Sequence, residues 1–114
     1  MLELTDTSFD DAVKKADGLV MIDCYSENCA PCAALEPTLE RLESDFSGRI
    51  SFFKLNVVNN PDLMGRFSLF SVPTLLFLHR GKPIAEIIGA FPEKTIRLKI
   101  EALLEGIAGD NPEK

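Results

Sequence analysis

Two nearly unbroken apolar runs, residues 19–25 (LVMIDCY) and residues 50–55 (ISFFKL), fix most of what this chain can become. Each has the length of a strand and little of the alternation that a half-solvated sheet imposes, so each reads as a strand buried on both faces, as in the middle of a mainly parallel sheet. Between them Leu35, Leu39, Leu42 and Phe46 recur at spacings of four, three and four, which puts them on one face of a long helix. Pro37 falls inside that helix and is expected to kink it, and Ser47-Gly48 ends it. A strand, a covering helix and a second strand in one sheet make a crossover unit whose strands run parallel.

The flanking segments extend this unit. Thr7-Ser8 forms a cap, and Phe9, Val13 and Ala16 predict a short amphipathic helix to about Asp17-Gly18. Asn59-Asn60-Pro61 starts another short helix that ends near Phe67, with Pro61 suited to the first turn. Residues 74–79 form a third strand, Arg80-Gly81-Lys82 turns tightly, and residues 83–88 return as a fourth, so this half is an antiparallel hairpin. Ile96, Ile100, Leu103 and Ile107 mark a last helix. The predicted class is α/β, a central mixed sheet of four to five strands with helices on both faces. At 114 residues one core is expected, with residues 1–108 as a single domain and 109–114 as a frayed tail.

The balance of charge narrows the partners. A net charge of −6 argues against a nucleic-acid backbone, whose binding depends on clustered Lys and Arg releasing counterions. No apolar run approaches a membrane span, and the start MLELTD lacks the basic and apolar stretches of a secretory signal. A soluble, cytoplasmic monomer is expected.

Three cysteines, Cys24, Cys29 and Cys32, lie too close together to brace a fold and form a local site instead. Cys29-Ala30-Pro31-Cys32 sits at the start of the long helix, where two thiols three positions apart can close into a small disulfide ring and reopen. The nucleophile is a thiolate, and unpaired N–H groups at a helix start favour negative charge there. Cys29 is the better-placed attacker. Cys32, one turn inside, suits the resolving role, and Pro31 stiffens the ring between them. Cys24 admits other readings: its spacing to the pair matches three ligands of an iron–sulfur pattern, and His79 would be a fourth zinc ligand. Strand alternation turns it away from Asp23, so a small core hydrophobe is the expectation, with no metal bound.

Taken in order, residues 20–23, 29–32, Pro37, residues 54–57, Val72-Pro73-Thr74-Leu75, Gly81 and Gly89 resemble the thioredoxin family over nearly the whole chain. The resemblance implies a thiol–disulfide oxidoreductase that reduces protein disulfides through Cys29 and Cys32. It implies that Asp23 is a buried carboxylate accepting the Cys32 proton, in keeping with the raised pKa of a carboxylate in an apolar strand. It makes Lys54 the buried partner of Asp23 and Pro73 a cis-proline facing the disulfide. Client chains would pair with the backbone at Val72, pass Gly89, and touch Asn28, Ala30 and Pro31. It further implies that no cofactor is bound, that an NADPH-linked thioredoxin reductase-like donor restores the thiols, and that disulfide-containing proteins are the clients. The family's usual Trp residues are replaced by Tyr25 and Asn28, and Ala30, Ala33 and Val58 stand where Gly, Lys and Asp are common. The smaller apolar surface motivates an alternative, a binding or redox-sensing module of the same fold with little reductase activity.

Overall fold

A computed structural model describes residues 1–109. In chain order the elements are β1 (Leu2–Leu4), α1 (Phe9–Lys15), β2 (Leu19–Tyr25), α2 (Ala30–Asp45), β3 (Ile50–Asn56), α3 (Pro61–Arg66), β4 (Thr74–His79), β5 (Lys82–Ile88) and α4 (Glu93–Gly109). The five strands form one sheet in the order β1-β3-β2-β4-β5. β2 pairs with β3 in parallel, the pairing that the α2 crossover requires, and β4 pairs with β2 and with β5 antiparallel. The mixed sheet expected from the sequence is present.

Its centre is apolar on both sides. Alternate residues of β2 enter two different cores: Val20, Ile22 and Cys24 pack with Phe9 and Val13 of α1 and Leu63 of α3. Leu19 and Met21 pack with Leu35, Leu39 and Leu42 of α2 and with Ile96 and Ile100 of α4. This two-sided burial is why the run 19–25 shows no period of two. Asp23 continues the second series and therefore stands on the face that α2 covers.

Several boundaries differ from the sequence expectations. β1 adds a parallel edge strand on β3, beyond the four strands marked by apolar runs in the sequence. Three residues are too few to show a period, and what holds them is tertiary: pairing with β3 and burial of Leu4 in the core. α1 stops at Lys15 rather than near Gly18, because Ala16 is already extended and Gly18 takes a left-handed φ of 75° on entering β2. Gly109 is the last residue of α4 and not part of a tail; the remainder of the expected tail, residues 110–114, lies outside the described residues. α3 is held from a distance: the Asp6 carboxylate accepts from the N–H groups of Asp62 and Leu63, at 3.2 and 3.0 Å.

Candidate active site

The site is built where β2 hands over to α2. Asn28 has a φ of 57°, a left-handed conformation that a short polar side chain tolerates better than a bulky one. It turns the chain so that Cys29 becomes the N-cap of α2, with Pro31 in the first turn. Cys29 and Cys32 are joined by a disulfide, their Cα atoms 5.2 Å apart. The Cys32 N–H donates to Cys29 Sγ at 3.2 Å, so the outer sulfur occupies the place of a helix-capping acceptor. No acidic residue lies in the first turn of α2 to oppose a thiolate there.

The two sulfurs are unequally placed. Cys29 is half-buried whereas Cys32 is 6% exposed. The pair opens onto a groove of about 560 Å3 whose lining includes Tyr25, Asn28, Ala30, Ala33 and Glu36. Ala30, Pro31 and Asn28 are all exposed around it. Cys29 is the more accessible residue of the pair.

Asp23 is 3% exposed, and its Oδ1 has no hydrogen-bond partner among the described residues. Burial raises its pKa from 3.8 to about 6, opposed by the charge of Lys54 and reinforced by those of Glu36 and Glu3. Lys54 is the register partner of Asp23 on β3, as a pair of opposite charges would require. The expected buried ion pair is nonetheless corrected: Lys54 is half-buried and forms no ion pair with Asp23 within 4 Å. Its Nζ lies over the Tyr25 ring, 4.8 Å from the centroid. The Tyr25 hydroxyl donates to the Glu3 carboxylate, at 2.9 Å from each oxygen. Glu3, Tyr25 and Glu36 were not singled out from the sequence as partners of Asp23. The 3.6-residue stripe of α2 did hold a signal for Glu36, which follows Cys32 by one turn.

On the other side of the switch from β2 to β4, the Val72–Pro73 peptide bond is cis, as the resemblance implied. Pro73 is buried and its carbonyl accepts from the Gly89 N–H at 2.8 Å, which ties the start of β4 to the end of β5. Val72 is half-buried against the α1/α3 core. Gly89 has a φ of 111°, and a Cβ there would meet only the Phe91 ring, at 3.5 Å. Backbone conformation therefore explains glycine at this position more directly than want of space.

Cys24 is fully buried on the opposite face of β2 from Asp23, with burial holding its thiol far above the usual range. His79 pairs with Leu19 at the other end of β2, five residues and about 17 Å along the strand from Cys24. The sheet thus separates these two residues. Among the described residues no group of three or more His, Cys, Asp or Glu is arranged to hold a metal.

A disulfide at a helix N-terminus can exchange two electrons with a partner's sulfurs, and a buried carboxylate whose pKa is raised to about 6 can take up a proton close to neutral pH. Fold and site together define a thiol–disulfide oxidoreductase. The thioredoxin family model matches residues 1–102. The chain is 35% identical over 99 residues to a thioredoxin of Chlorobaculum thiosulfatiphilum, covering 87% of this chain and 92% of that one. It is 32% identical over 101 residues to a thioredoxin of Staphylococcus saprophyticus, covering 89% and 95%. It is also 32% identical over 102 residues to a chloroplastic M-type thioredoxin of Brassica napus, covering 90% of this chain and 58% of that one. The chain belongs to the thioredoxin family, whose members are protein-disulfide reductases without a prosthetic group. The alternative of a binding module with an idle pair is not favoured. No helix among the described residues is long and apolar enough to cross a membrane.

Proposed function

We propose that Cys29 is the attacking sulfur, Cys32 the resolving one and Asp23 the acceptor of the Cys32 proton. The Cys29 thiolate attacks one sulfur of a client disulfide, forming a mixed disulfide and expelling the client's other sulfur as a thiolate. Cys32 gives its proton to Asp23, attacks the Cys29 sulfur, and expels the second client thiolate. The client gains two electrons and the Cys29–Cys32 bond closes. Lys54 acts on Asp23 through its field. Val72, Pro73 and Gly89, with Asn28, Ala30 and Pro31, form the surface against which an extended client segment lies. An NADPH-linked thioredoxin reductase-like protein restores the two thiols, and the chain works as a monomer in a reducing compartment such as the cytoplasm.

One observation carries this reading: of the two residues of a single helix-start disulfide, Cys29 is half-buried and Cys32 is buried, on the stripe of α2 whose Leu35 and Leu39 pack with Leu19 and Met21, the alternate residues of β2 that lead to Asp23. Incubating Cys32→Ser with a disulfide-bonded protein such as insulin should accumulate a covalent complex at Cys29, and Cys29→Ser should accumulate none and lose reductase activity. A complex trapped by Cys29→Ser alone would reverse the two roles.

A further inference from the structure

Four charged or aromatic groups from four different elements of the fold stand in one neighbourhood around the unpartnered Asp23 carboxylate. In register, Glu3 of β1, Lys54 of β3 and Asp23 of β2 form one row across the sheet, with the lysine between two acids. A lysine so placed would be expected to pair with the buried acid, whose exposed competitor is solvated by water. The structure shows otherwise. The ammonium lies on the Tyr25 face, and Tyr25 is itself anchored by its hydroxyl to both oxygens of Glu3. Asp23 Oδ1 is left without a hydrogen-bond partner among the described residues.

We propose that Glu3 and Tyr25 are positioning residues that hold the Lys54 ammonium off Asp23, so that the carboxylate taking the Cys32 proton stands without a counter-ion. The physical logic is competitive. An ammonium within hydrogen-bond distance would stabilise the ionised carboxylate and make it a poor proton acceptor, whereas the same charge spent on a ring face leaves the acid dominated by burial. The other charged groups acting on Asp23 work in the same direction: Glu36 from α2 and Glu3 from β1 both disfavour its ionisation, and β4 presents only Leu75 opposite it. Tyr25, where the family commonly has Trp, adds the hydroxyl that makes the anchoring to Glu3 possible.

This inference deepens the proposed role of Asp23, and its test reads the carboxyl directly. Carbon-13 NMR of Asp23 in the oxidised protein follows its titration, with the dispersion of the amide spectrum reporting the fold. Glu3→Gln with Tyr25→Leu should free the lysine and lower the Asp23 midpoint by about one pH unit, the effect of an opposite charge brought close. In a Lys54→Met background the same two substitutions should move it much less. An equal fall in both backgrounds, or no fall in the first, overturns the proposal. Lys54→Met alone gives a second reading that leaves Tyr25 in place. It should raise the midpoint by well under one unit, and a rise of more than about two units, the size of a direct ion pair, would overturn the proposal. If the midpoint falls as expected while the acid limb of the insulin-reduction pH profile stays fixed, the strap stands and the assignment of Asp23 as proton acceptor fails.

Discussion

Asp23 shows how a single buried side chain can weigh against the stability of the fold. Its pKa, raised from 3.8 to about 6 by burial, means that the folded protein holds this proton more tightly than the unfolded chain does. Between those two values the native state binds more protons, so stability falls as pH rises through the window and stays lower above it. The penalty at neutral pH is on the order of 3 kcal/mol. Guanidinium unfolding of oxidised Asp23→Asn should therefore show a protein on the order of 2 kcal/mol more stable than the parent at pH 7, with the difference shrinking toward pH 4. A variant equally or less stable at pH 7 would contradict the unpartnered carboxylate. The sequence indicated that an acid in the apolar run 19–25 is unusual, but not that Lys54 leaves it unpaired, since that depends on where a flexible side chain comes to rest.

At the scale of elements, α2 joins the chemistry to the core. The helix that presents Cys29 at its first residue boundary buries Cys32, Leu35, Leu39 and Leu42 on one stripe against the sheet. This was readable because a helix covering a sheet must repeat its apolar residues every three to four positions. Leu39 is fully buried between α2 and the sheet, and Leu39→Ala should cost about 2–5 kcal/mol in urea unfolding with the disulfide intact. A loss below about 1 kcal/mol would mean that the helix is not braced there. α3 shows the reverse case. Its first turn is capped by Asp6, more than fifty residues earlier, where no local pattern can announce the contact. β1 has no local signature for a related reason: three residues carry no period, and the strand exists through its pairing with β3.

The whole molecule carries a net charge of −6 and must bring its half-buried Cys29 to the disulfides of other proteins. Encounter with acidic partners is opposed by that field and encounter with basic ones assisted, both through screened Coulomb forces. Raising the ionic strength should accordingly speed reduction of an acidic disulfide peptide and slow that of a basic one of equal length, measured as initial rates. A common response to salt would exclude the molecular field as the cause. The sequence by itself determined the central sheet, its covering helices, and the redox pair at a helix start, because each rests on local periodicity or on neighbours three residues apart. Tertiary structure alone decided that Asp23 faces α2 unpartnered, that Lys54 lies on Tyr25, and that Pro73 and Gly89 meet beside one another. Those arrangements join residues far apart in the chain, and their geometry exists only once strands pair and the core closes. The Cys29–Cys32 pair names the chemistry, and the folded sheet sets the surroundings of Asp23.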